Sequence, residues 1–164
     1  MLKTMIPKKP ANPDALRLKM ADLCARSEQC EFEIREKLRR KALSTNEINK
    51  IIEFLVERKF IDNERYARSF TNDKVRFAGW GRNKIRQALA MKRIPEQYVT
   101  DALKQIDTDE YNNSLFRAAS AKARYLNLTV NDDRAKLYRH LLSRGYESSF
   151  SLQAISALRK LSQQ

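Results

Sequence analysis

Apolar residues recur along this chain at helical spacing, and the same pattern returns twice. Ile34 and Leu38, in the stretch IREKLRRKAL, come back as Ile85 and Leu89 in IRQALAMKRI 51 residues on, and as Leu137 and Leu141 in LYRHLLSRGY after 52 more. The segment that follows keeps register: Ile48, Ile51, Ile52 and Leu55 become Val99, Ala102, Leu103 and Ile106, then Ser151, Ala154, Ile155 and Leu158. Only Ser151 interrupts the i, i+3, i+4, i+7 stripe that marks one buried helix face. Each copy also opens on a further helical pattern. Ala15–Arg26 carries Leu16, Met20, Leu23 and Cys24; Glu64–Phe77 carries Tyr66, Ala67, Phe70 and Val75; Asp109–Leu126 carries Leu115, Ala119, Ala123 and Leu126. Repetition at this period means units that bury their apolar faces on one another. The pattern predicts an all-α chain of three tandem three-helix modules of about 50 residues, over 14–60, 61–107 and 108–164. They should form an elongated, curved array behind a flexible basic leader at 1–13.

Local signals agree with these elements. Ser44 or Thr45 with Glu47 starts one helix, Pro95 at a first-turn position beside Glu96 starts another, and Asn131, Asp132 and Asp133 offer caps for a third. Gly145 follows the middle helix of the third module, where a left-handed residue ends a helix at little cost. Its counterparts are Ala42 and Arg93. A non-glycine residue in that geometry costs on the order of 1 kcal/mol, so those two turns are expected to be built differently. Gly79, Trp80 and Gly81 fall between the first and middle helices of module two, as a tight structural turn with Trp80 packed across the joint. The other reading of Trp80 is a platform for an unpaired base. Arg65 is expected to tie Asp62 or a neighbouring helix at the module junction.

Composition narrows the chemistry. Three glycines and four prolines are too few for a turn-rich sheet protein. The balance of 33 Lys/Arg against 20 Asp/Glu leaves a net charge of +13, which attracts a polyanion. Cys24 and Cys30 are too few for a disulfide framework and are expected as reduced, partly buried thiols. The single histidine, His140, lies far from both, so no zinc site is expected. Gly79-x-Gly81 is followed by Lys84 instead of a third glycine and is preceded by helical sequence, so it fits neither phosphate-binding fingerprint. No catalytic constellation stands out, and no cofactor or metal is expected. No stretch approaches the ~18 apolar residues of a membrane span, and a cytoplasmic monomer is expected.

Charge is also unevenly placed. Seven Lys/Arg and no acidic residue lie between Lys74 and Pro95. A solvated helix face usually intersperses Glu or Asp at i±4, as module one does with Glu33 and Glu36 among Arg35, Lys37, Arg39 and Arg40. The candidate contacts are therefore Lys74, Arg76, Arg82, Lys84, Arg86, Lys92 and Arg93, with Arg124, Arg139 and Arg144 from module three. Arg82, Asn83, Arg86 and Gln87 also keep open a free-standing DNA-binding protein with helix–turn–helix-like modules.

The stretches I61-D-N-E-R-Y-A67 and G79-W-G-R-N-K-I85-R-Q-A-L89, with K136-L-Y-R-H-L-L-S-R-G-Y146, resemble signatures of the RecX family of regulators of the bacterial RecA recombinase. The resemblance runs over roughly residues 14–160. It departs from the family pattern at Ala42 and Arg93, where the family usually places glycine. It implies a non-enzymatic protein that binds the RecA-type recombinase filament on single-stranded DNA, lies in its groove, blocks its extension and suppresses its ATPase and strand exchange. It implies a place in DNA recombination and repair, with weak direct DNA binding.

Overall fold

The structure, a computed structural model, describes residues 11–164. The leader expected at 1–13 lies outside the described residues as far as residue 10, and its end belongs to a helix. Among the described residues there are nine helices and no strand: α1 (Pro13–Arg26), α2 (Glu31–Arg39), α3 (Thr45–Glu57), α4 (Asn63–Arg76), α5 (Arg82–Met91), α6 (Glu96–Lys104), α7 (Thr108–Ala123), α8 (Asn131–Ser143) and α9 (Ser148–Leu161). The chain is an all-α array of repeated three-helix units, and burial follows the register of the sequence. Ile34 and Leu38 of α2, Ile85 and Leu89 of α5, and Leu137 and Leu141 of α8 are all fully buried. The described residues fall into two compact units, one ending at Tyr66 and one running from Ala67 to Gln164.

In the first unit α3 packs on α1 and α2. Its core joins Met20 and Cys24 of α1, Ile34 and Leu38 of α2, and Ile48, Ile51, Ile52 and Leu55 of α3. The helix starts are set by side chains. Asn12 accepts from the amides of Asp14 and Ala15, with Pro13 in the first turn. Ser44 and Glu47 form a reciprocal capping box on α3. Cys24 and Cys30 are buried free thiols, and burial, with Glu28 nearby, raises the pKa of Cys24. Arg65 ties the junction as expected. Its amide donates to Asp62, its Nε donates to Glu28 at 2.6 Å, and its terminal nitrogens reach the carbonyls of Lys59 and Phe60.

In the second unit α5 packs on α6, and α7, α8 and α9 pack on one another. Ser114 of α7 donates to the Val75 carbonyl at 2.7 Å and lies 3.0 Å from the Tyr146 hydroxyl. That buried pair pins α7 to the end of α4 and to the turn after α8. Pro95 stands at the N-cap of α6, one position earlier than expected. The expected caps on α8 are absent: Val130 is its N-cap, and the Asp133 carboxylate instead accepts from the Asn127 amide and the Lys136 ammonium. These bonds lower the Asp133 pKa, the Lys136 bond contributing most.

The turns after α5 and α8 share one geometry, against expectation. Ile94 donates to the Leu89 carbonyl and Arg93 to that of Ala90, just as Tyr146 donates to Leu141 and Gly145 to Leu142. Both are Schellman closures with a left-handed residue, Arg93 at φ 56° and Gly145 at φ 90°. The residue that follows, Ile94 or Tyr146, is buried. Anchoring that side chain outweighs the roughly 1 kcal/mol cost of the left-handed arginine. At Ala42 the turn is built differently, as expected: Lys41 donates to Leu38 and Leu43 to Lys41, and φ is not positive.

Ser151, the break in the apolar stripe, is fully buried and its hydroxyl has no hydrogen-bond partner. A buried, unsatisfied hydroxyl costs about 1–3 kcal/mol. Ser151→Ala is therefore expected to raise stability by about 1 kcal/mol. Urea unfolding checks this, and an unchanged or lower midpoint would show that the hydroxyl is satisfied.

Candidate functional site

The turn between α4 and α5 locks against the turn between α8 and α9. Two backbone hydrogen bonds join them: the Gly81 amide donates to the Arg144 carbonyl at 2.8 Å, and the Asn83 amide to the Gly145 carbonyl at 3.0 Å. The first amides of a helix and the last carbonyls of another lack partners within their own helices. Here the start of α5 and the end of α8 satisfy each other, and their partial charges are of opposite sign. A third amide of this group, Arg82, donates to the Tyr111 hydroxyl at 3.1 Å. Gly81 has no side chain with which to cap α5, so residues of the third module cap it.

Glycine is required on both sides by distance. A Cβ on Gly81 would lie 2.2 Å from the Gly145 carbonyl carbon and the Tyr146 nitrogen. A Cβ on Gly145 would lie 2.3 Å from the Lys84 Cβ and 2.4 Å from its nitrogen. Gly145 is thus held to glycine by this close approach as well as by its left-handed turn, a turn that Arg93 also adopts.

Side chains close the joint. Arg144 donates from Nε to the Gly79 carbonyl at 3.0 Å and from Nη2 to that of Ala78 at 2.6 Å. The Arg82 guanidinium lies 3.9 Å from the Tyr111 ring centre and pairs with Glu147 at 3.0 Å. The buried Tyr111 hydroxyl donates to the other oxygen of Glu147. Burial, then the hydrogen bond to Glu147, raise the Tyr111 pKa above that of a free phenol, so it remains a donor at neutral pH.

On α4 and α5 a lysine–aromatic cluster forms. Trp80 meets Phe70 edge-on at 6.3 Å, so it packs across its joint. Over the Trp80 ring stand the ammonium groups of Lys74 at 4.8 Å and Lys84 at 4.5 Å. Lys92 lies 5.8 Å and Lys74 5.2 Å from the Phe70 ring. Neither Lys74 nor Lys84 has a carboxylate partner among the described residues.

The candidate residues therefore part into groups. Lys74, Lys84 and Lys92 come together around Phe70 and Trp80. Arg82 and Arg144 are turned into the fold, where both are part-buried and hydrogen-bonded. Arg76 is ion-paired with Glu110 and Arg86 with Glu96. Arg93 occupies its turn, while Arg124 at the end of α7 and Arg139 on α8 are exposed. Tyr111 and Glu147 carry much of the local geometry and were not singled out from the sequence. They stand alone in it, without a motif, and only the pairing of the two turns connects them.

The fold is of the all-α class, built from repeated three-helix units, with a lysine cluster on α4 and α5. A family model described as RecX, second three-helix domain, matches residues 62–103. The protein named Regulatory protein RecX from Prosthecochloris aestuarii is 30% identical over 131 residues, covering 80% of this chain and 85% of its own length. The one so named from Clostridium perfringens strain 13 is 38% identical over 120 residues, covering 71% of this chain. The chain spans only 56% of that relative's length. The crystal structure of RecX from Lactobacillus salivarius shares the fold, with a TM-score of 0.75 and 20% identity over 89% of this chain and 96% of that one. A crystal structure described as regulatory protein RecX also has a TM-score of 0.75, with 24% identity over 84% of this chain and 68% of that one. This chain belongs to the RecX family.

Two measurements test the joint. Gly81→Ala is expected to cost about 3 kcal/mol, because its methyl meets backbone. Gly79→Ala, at φ 61° but facing only the end of the Arg144 side chain, should cost about 1 kcal/mol; equal losses in urea unfolding would contradict the joint. The second concerns pH. With the folded pKa of Tyr111 raised, its contribution is complete below the unfolded value of about 10 and is lost as pH rises beyond it. The melting temperature should fall above about pH 10, and Tyr111→Phe, starting lower, should fall less; parallel curves would show that Tyr111 is not a source of the loss.

Proposed function

We propose that this protein is a non-enzymatic regulator that binds the RecA-type recombinase filament on single-stranded DNA and inhibits its extension, ATPase and strand exchange. The observation that carries this reading is the lysine cluster on α4 and α5. Lys74 and Lys84 are held over Trp80 with no carboxylate partner among the described residues, in a stretch from Lys74 to Pro95 that contains no acidic residue. Unneutralised charge held near the surface suits docking onto the acidic groups and phosphates of a nucleoprotein groove. The curated relatives are named regulatory proteins, which supports regulation over catalysis. No helix among the described residues is long and apolar enough to cross a membrane.

The helix–turn–helix reading is less favoured by the geometry. It would place the first residues of α5 against base edges, but the start of α5 is bonded to the α8–α9 turn and Arg82 is held by Tyr111 and Glu147.

Recombinase ATPase on single-stranded DNA, titrated with the protein, tests the proposal. The parent should inhibit, and Lys74→Glu with Lys84→Glu should raise the midpoint by about tenfold or more, with helicity retained. No inhibition by the parent would overturn the function. Unchanged inhibition by the folded double variant would move the interface elsewhere.

A further inference from the structure

A second basic feature borders the same joint. Arg76, Phe77, Gly79, Ser114, Arg117 and Arg144 line a pocket of about 230 Å³. This is below the ~300–1,000 Å³ of sites that enclose whole small molecules, and suits one anionic group. Three guanidinium groups border it and no carboxylate does. Arg76 is neutralised by Glu110, so the excess charge comes from Arg117 and Arg144. Arg117 donates from Nη2 to the Arg76 carbonyl at 3.2 Å, and Arg144 uses Nε and Nη2 on the turn carbonyls. Each therefore keeps Nη1 without a protein partner among the described residues. Two backbone bonds fix the Arg144 plane in advance and one tethers Arg117, which lowers the entropy lost when an anion is bound.

Beside them Phe77 is 83% exposed and makes no ring contact. A carboxylate would use the guanidinium groups but not an exposed aromatic face. A nucleotide uses both, phosphate on arginine and base on ring.

We propose that this pocket is a single-stranded DNA subsite, with a backbone phosphate held by Arg117 and Arg144 and an adjacent base stacked on Phe77. It deepens the function above and rests on the single-stranded DNA component of that reading. The lysine cluster around Trp80 is a separate surface, made by different residues.

Direct binding without recombinase tests it, by fluorescence anisotropy of a labelled oligothymidylate of about 20 nucleotides, longer than a typical site. Phe77→Ala should weaken binding about 5–10-fold, with an unchanged salt slope and with duplex affinity kept within about twofold. Arg117→Gln should reduce the slope of log affinity against log salt by about 0.7, the share of one phosphate on a single strand. Both side chains are exposed, so circular dichroism melts should match the parent. No oligothymidylate binding by the parent, or parent-like binding by both folded variants, would overturn the subsite. If parent-like variants nevertheless lost recombinase inhibition, the pocket would be assigned to an acidic side chain of the recombinase. Oligothymidylate binding with the expected losses, from a protein that fails to inhibit recombinase, would support the subsite and remove only the regulatory reading.

Discussion

The meeting of the C-terminal carbonyls of α8 with the N-terminal amides of α5 is the constraint from which the functional region follows. Each helix end carries polar groups that its own ladder leaves unpaired, and here one set completes the other. The contact needs backbone against backbone, which excludes a side chain at Gly81 and at Gly145. Around that contact the larger groups find their places. Arg144 reaches the carbonyls of Ala78 and Gly79, Tyr111 and Glu147 hold Arg82, and Ser114 links the end of α4 to Tyr146. The orientation of α5, and with it of Lys84, is fixed by Tyr111 and by Arg144, Gly145 and Glu147, all distant from it in sequence.

The joint also sorts the cations by chemistry. Arginine offers a planar fork of donors that can grip two carbonyls or a carboxylate while stacking on a ring. Arg82, Arg144 and Arg65 are used in that way, within the fold. Lysine is a compact charge on a flexible stem, and Lys74 and Lys84 stand over Trp80 with no carboxylate opposite. A net charge of +13 is thus not spread evenly over function. Arg82 and Arg144 build the support of the joint, whereas Lys74 and Lys84 are left without a carboxylate partner among the described residues.

Much of the fold was legible because helix burial has a period that sequence records directly. The stripe from Ile34 to Ile155 located the middle and last helices of each repeat, and Ser44 with Glu47 announced its cap. The site was legible in charge but not in geometry. The acid-free run picked out Lys74 and Lys84, which the structure gathers around Trp80, yet the charge reading treated Arg82 and Arg144 as equivalent to them. Telling them apart requires knowing that Tyr111 and Glu147 face Arg82, which is a tertiary fact between residues that share no motif. Gly145 shows the same limit. Its left-handed turn was readable, but Arg93 adopts one too, and only the approach of Lys84 explains why one position must be glycine.

Amide hydrogen exchange at Gly81 and Asn83 tests the joint most directly. Amides at a helix start usually exchange early, because they have no partner within the helix. If the α8 carbonyls complete α5, both amides should be protected nearly as well as those of buried core helices, such as Leu89. Exchange of Gly81 and Asn83 at the rate of exposed turn amides, with Leu89 still protected, would contradict the account.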